Sequence, residues 1–140
     1  MKKLVLAIFI AFSFTNLSAK DKILYLPISD VLNSKEAKEA LDPNIKLSFG
    51  SGAKANIIAK NLQANKKTNS VNKSDEEACK WVLLSALKTF QDRAVKEGGT
   101  KVVNLTGYFK KQPYDSKDKF QCAVGSIMAG VTLRGDIAKW

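Results

Sequence analysis

The clearest periodicity in the chain runs from Ser74 to Gly99. Cys79, Val82, Leu83, Ala86, Leu87, Phe90 and Ala94 recur at spacings of three and four, which lines them along one broad face of a helix. Ser74-Asp75-Glu76-Glu77 ahead of them reads as a capping box, in which the Ser74 hydroxyl accepts from the Glu77 amide and the Glu77 carboxylate reaches back. Three acids in the first turn suit the positive end of the helix dipole. Gly98-Gly99 ends the helix with a left-handed cap. Trp81 falls beside the apolar face and is expected to pack at its margin.

The flanking segments carry the two-residue period of strands. Ile23 to Ile28 is a short apolar run, with Pro27 marking a strand end or edge. A polar helical stretch follows from Ser29 to Leu41, with Ser34 as a second cap and Asp42-Pro43-Asn44 as the stop. Ile45 to Phe49 alternates like a half-buried strand. Residues 53 to 73 are rich in Lys, Asn and Ala and leave two alternatives open, a helix around Asn56 to Gln63 or a strand near Thr68 to Val71. Lys101 to Phe109 predicts a strand with Val103, Leu105 and Phe109 on one face and Val102, Asn104, Thr106 and Tyr108 on the other. Lys110 to Lys119 is a polar loop, and Phe120 to Leu133 forms one or two strands, where Gly125 and Gly130 permit a bulge or a close backbone contact. The expected fold class is α+β, a small antiparallel sheet with one main helix packed on it.

The first residues read differently. Basic Met1-Lys2-Lys3, apolar Leu4 to Phe14 and a small-residue end at Ser18-Ala19 form an export signal cleaved after Ala19. The apolar stretch is shorter than the roughly 20 residues that span a bilayer, so no transmembrane anchor is expected after cleavage. No cysteine lies near the cut to carry a lipid. The expectation is a signal over residues 1–19 and a single periplasmic domain over 20–140.

Composition then narrows the chemistry. The chain carries 23 basic and 13 acidic residues, a formal charge of +10, and all but two of the basic residues are lysines. That balance favours anionic partners without choosing among them, and scattered lysine also reads as a solvated face. With no histidine, Ser-His-Asp and Cys-His catalysis and histidine metal sites drop out. Two cysteines cannot complete a four-ligand zinc site, and no metal or cofactor is expected. Gly50-Ser51-Gly52-Ala53-Lys54 lacks the spacing and the Lys-Ser/Thr ending of a phosphate-binding loop and reads as a turn leaving a strand.

Cys79 and Cys122 are the only cysteines. One lies early in the main helix on its apolar side and the other early in a late strand, so a helix lying across the sheet can bring them within bridging distance. A structural bridge is the expectation, worth roughly 4 kcal/mol for a loop of this length in the chain-entropy model. A cycling redox pair is the alternative, although such pairs usually take a Cys-x-x-Cys spacing.

Lys73-Ser74-Asp75-Glu76-Glu77-Ala78-Cys79-Lys80-Trp81, Gly98 to Leu105, Phe120-Gln121-Cys122-Ala123-Val124-Gly125 and Ala129-Gly130-Val131, together with Leu26 to Asp30 and Lys67-Thr68-Asn69, resemble a family of small exported proteobacterial proteins labelled "excinuclease ATPase subunit". An excision ATPase needs a phosphate-binding loop, which this chain lacks, so that activity is not expected here. The stretch from the main helix through Val102-Val103-Asn104 to Cys122-Ala123-Val124-Gly125-Ser126 is more distantly similar to the YbjQ family and to RcsF-like domains. That resemblance implies an exported, disulfide-bonded α/β domain in which Cys122 is a bridge-forming strand cysteine. Two cysteines instead of the RcsF-like four, and no lipid-attachment cysteine, mean that tethering and stress sensing are not implied.

The functional expectation is a non-catalytic, envelope-associated binding module in the periplasm, partnered by an envelope protein or an anionic envelope component. Two alternatives stand beside it: a periplasmic thiol-disulfide protein, and a binder of lipopolysaccharide or nucleic acid through positive charge. Two arginines without a basic stripe make specific nucleic-acid readout unexpected. Lys110, Lys111 and Tyr114 form the candidate contact loop, since basic residues there surround an amphipathic ring; the same loop also reads as a plain solvated turn.

Overall fold

A computed structural model describes residues 22–140. The elements follow in the order β1 (Lys22–Pro27), α1 (Ile28–Leu32), α2 (Lys35–Ala40), β2 (Lys46–Phe49), β3 (Asn56–Asn69), α3 (Asp75–Glu97), β4 (Lys101–Gly107), β5 (Lys119–Val124) and β6 (Met128–Lys139). The export segment and its cleavage point after Ala19 lie outside the described residues.

β6 is the strand that the others share. Along one edge it pairs antiparallel with β3, from Asn69 opposite Met128 to Asn56 opposite Lys139. Its other edge is divided: Ala129 and Gly130 pair with β5, and residues 133 to 138 pair with β4. β1 then extends β5 antiparallel, whereas β2 extends β4 in parallel. The sheet is therefore mixed and curled, not the purely antiparallel one expected. The chain between β2 and β4 includes both β3 and α3, and a crossover of that length is what lets two strands run the same way.

Helix α3 covers one side of this sheet. Its N-cap is Ser74, whose hydroxyl accepts from the Glu77 amide at 3.0 Å, and Gly98 closes it in the left-handed region at φ 79°. Val82, Leu83, Leu87 and Phe90 bury against Ala129, Val131, Leu133 and Ile137 of β6, flanked by Val102 and Leu105 of β4 and by Phe120 and Val124 of β5. Each such side chain contributes about 1.5–3 kcal/mol when removed from water. Gly135 sits where a Cβ would lie 2.9 Å from Leu105 and 3.3 Å from Phe90, so its lack of a side chain lets the helix approach β6. Trp81 is 41% exposed at the edge of the packed face.

Cys79 and Cys122 form a disulfide with Cα atoms 5.9 Å apart, and both residues are fully buried. It ties the start of α3 to β5 across 43 residues of sequence. A second tie is polar: the buried Gln91 donates to the carbonyls of Asp42 and Ile45 and accepts from the Asp42 amide, which fixes the approach to β2. Ser34 caps α2 by accepting from the Ala37 amide, so the helical stretch expected from Ser29 to Leu41 is two short helices broken at Asn33-Ser34.

The strands depart from the expected pattern in two places. Residues 56 to 69 form a single long strand, with no helix at Asn56 to Gln63, and the inward face of β4 is Val102 and Leu105 instead of Val103 and Leu105. Both strands bulge, at Asn61 and Asn104, whose φ values of 55° and 56° put them in the left-handed region that asparagine tolerates. Asp136 of β6 sits between the bulges. One carboxylate oxygen accepts from the Asn61 amide and the other from the Asn104 side-chain amide, each at 2.8 Å, while Asn104 Oδ1 accepts from the Ala53 amide.

Asp136→Ala strips an acceptor from both bulges, and a loss of about 1–3 kcal/mol is expected in urea unfolding; an unchanged midpoint contradicts the clamp. The double variant Cys79→Ser/Cys122→Ser is expected to lose about 2–5 kcal/mol by the same measurement, and wild-type stability in that variant would rule out the bridge as a main support of the fold.

Candidate binding groove

The side of the sheet that α3 leaves bare is polar and basic. Alternation along β6 that sends Val131 and Leu133 into the core sends Gly130, Thr132 and Arg134 outward, opposite Lys67, Asn65 and Gln63 of β3. After β4 the chain passes through a tight turn, Phe109–Lys111, which forms a wall beside these strands. Its base is pinned where the Tyr108 amide donates to the Thr132 carbonyl at 2.9 Å. Wall and sheet enclose a groove of about 540 Å³ whose floor includes Ala123, Val124 and Gly130. That volume falls in the range of small-ligand sites.

Cations gather on this groove. Lys67 projects from β3, Lys110 and Lys111 from the wall, and no carboxylate lines the groove among the described residues. Arg134 stacks on the Tyr108 ring at 4.3 Å and Lys110 lies 5.5 Å from the centre of Phe109, so aromatic faces hold charge at the wall without neutralising it. Lys110 and Lys111 are consecutive left-handed residues, at φ 54° and 62°. Each costs roughly 1–2 kcal/mol relative to a right-handed conformation, a strain of the kind that clusters at ligand clamps. A concavity at the other face differs in character: between α1 and the start of α3, Asp30, Glu76 and Glu77 face Lys80 in about 290 Å³.

The three residues of the candidate contact loop part company. Lys110 and Lys111 line the groove. Tyr114 instead exchanges backbone hydrogen bonds with Gly107 and stacks against Tyr25 of β1, ring centres 5.0 Å apart. The loop beyond it is anchored by Asp115, which accepts from the amide of Ser51 at 2.9 Å and from its hydroxyl. Those hydrogen bonds, the hydroxyl foremost, hold the Asp115 carboxyl below the usual aspartate range. Lys67, Tyr108, Phe109 and Arg134 were not visible as site residues in the sequence, because the groove joins three separate strands. The signal that bears on them is local: Tyr108-Phe109-Lys110-Lys111 sets two aromatics directly before two cations.

Among the described residues there is no cluster of three His, Cys, Asp or Glu side chains able to hold a metal ion, and no helix is long and apolar enough to cross a membrane. Compared with known proteins, the chain matches no family model, no curated protein and no solved structure.

The Asp115 shift has a defined sign. Its folded-state value lies below 3.8, so the stability from the Ser51 contact is fully present above the ordinary carboxylate range and is lost as pH falls through the lowered value. In a carboxyl NMR titration, Ser51→Ala is expected to move the Asp115 midpoint up toward 3.8; a midpoint that stays put contradicts the hydrogen bonding described here.

Proposed function

We propose that this chain is a non-catalytic binding module of the bacterial envelope, acting in the periplasm, and that its ligand is anionic and occupies the basic groove on the helix-free side of the sheet. The observation that carries the reading is the convergence of Lys67, Lys110 and Lys111 on one concavity with an apolar floor and, among the described residues, no lining carboxylate. Such a site attracts negative charge and gives an apolar body a surface to rest on. The export signal read at residues 1–19 and a fully buried disulfide both suit an oxidising compartment. A helix bridged from its first turns to a strand also suits the distant YbjQ and RcsF-like resemblance.

The redox alternative fares worse. Thiol-disulfide exchange requires a thiolate to reach a sulfur in line, and Cys79 and Cys122 are both shut inside the core. Catalysis by the excision-ATPase label is not part of this proposal, since nothing in Gly50 to Lys54 suits the cradling of a nucleotide phosphate.

Calorimetric titration with sodium tripolyphosphate at low ionic strength tests the groove. The expected result is binding that weakens steeply with added salt and falls roughly one- to two-hundredfold in Lys67→Gln/Lys110→Gln/Lys111→Gln, as three surface charge pairs of about 1 kcal/mol each require. Affinity that survives the triple substitution would move the site elsewhere, and absence of binding by the wild-type chain would overturn the anionic-ligand reading.

A further inference from the structure

At the open end of the groove two loops meet. The turn between β5 and β6 carries Ile127 and leads into Met128, the first residue of β6, and the loop leaving β3 carries Val71. The Ser70 amide donates to the Ile127 carbonyl at 2.9 Å, and Asn69 stands opposite Met128 in the β3–β6 ladder, so the loops are fused into one tip. Its apolar side chains face solvent: Ile127 is 58% exposed, Val71 51% and Met128 39%. Singly exposed apolar residues are ordinary, whereas three at one tip, held by backbone hydrogen bonds, form a feature that calls for a partner.

The surroundings of the tip identify that partner. Met128 lines the groove together with Lys67, Lys110 and Lys111, and Lys73 donates to the Asn69 carbonyl at the base of the second loop. An apolar tip collared by lysines matches the boundary of an anionic bilayer, where acyl chains lie a few ångströms beneath phosphates and lysine stems can lie along apolar surface while the ammonium stays wet. The nearby acids point elsewhere. Asp75 pairs with Lys22 of β1 at 3.4 Å, and Glu76 and Glu77 line the concavity beside α1 on the helix side of the sheet.

We propose that the β5–β6 tip docks this chain onto an anionic phospholipid bilayer, with Ile127, Met128 and Val71 entering the headgroup boundary while Lys67, Lys73, Lys110 and Lys111 engage lipid phosphates, one of them seated in the groove. The proposal rests on the anionic-ligand reading of that groove and names the ligand's source. Because the tip is tied by backbone hydrogen bonds before it meets the surface, little ordering is left to oppose docking. Each lysine brought near an anionic surface strengthens attachment roughly fivefold.

Co-sedimentation with vesicles tests this on the chain processed after Ala19, so that neither Lys2 and Lys3 nor the apolar residues 4 to 14 contribute to attachment. Vesicles of phosphatidylcholine mixed with phosphatidylglycerol are compared with pure phosphatidylcholine. The expected result is a preference for the anionic vesicles that drops at least about tenfold in Ile127→Ser/Met128→Ser. Melting temperature should not change in that variant, and Val95→Ser, an exposed position on α3, should leave binding intact. If the chain binds anionic vesicles equally well without Ile127 and Met128, the tip is not the docking element. If it binds soluble dihexanoyl phosphatidylglycerol through the three groove lysines but shows no preference for anionic vesicles, bilayer docking is wrong and the groove reading stands. If it binds neither form of the lipid nor tripolyphosphate, both readings fall together.

Discussion

Burial of one side of β6 beneath α3 is the constraint on which the remaining structure depends. Because β6 is bonded along both edges, the residues it turns toward the helix fix the inward register of β3, β4 and β5 together. Val131, Leu133 and Ile137 take that side, and Gly135 between them gives Phe90 and Leu105 the room to close over the strand. The bridge from Cys79 to Cys122 then fixes the angle at which the helix start meets the sheet.

The same register has a second consequence on the opposite side. With the apolar residues of β6 turned inward, Gly130, Thr132 and Arg134 are left facing a side that no helix covers. A small residue at Gly130 leaves depth there, and the strained turn at Lys110-Lys111 supplies the wall. The groove is thus produced by packing on the far side of the sheet, and its positive charge comes from residues with no core role. Core packing and the proposed binding chemistry fall on opposite faces, so the lysines can be altered without touching the hydrophobic core.

Sequence patterns disclosed what is local. The cap at Ser74, the helical repeat through Ala94 and the glycine stop at Gly98 each act within a turn or two, and α3 stands where they place it. The cysteine pairing was legible because only two cysteines exist. Non-local features were not. The parallel pairing of β2 with β4 depends on where a crossover lands, and β3 hides its strand character because an outer strand with lysine and asparagine on its exposed positions has little apolar contrast. The change of inward residue from Val103 to Val102 in β4 accompanies the bulge at a left-handed Asn104, whose side chain donates to Asp136, 32 residues later. Of the candidate contact loop, Lys110 and Lys111 reach the groove and Tyr114 does not, since its ring is taken up by Tyr25 from the first strand. Lys67 and Arg134 could be assigned to the site only once the three strands were in register.

The division between a packed face and a proposed binding face is tested most directly by amide hydrogen exchange with and without dihexanoyl phosphatidylglycerol. The account expects added protection at Lys110 and Lys111 and in the turn from Gly125 to Met128, with α1 and α2 unchanged. Protection that instead appears beside Leu26, Asp30 and Lys80, or nowhere, would contradict it.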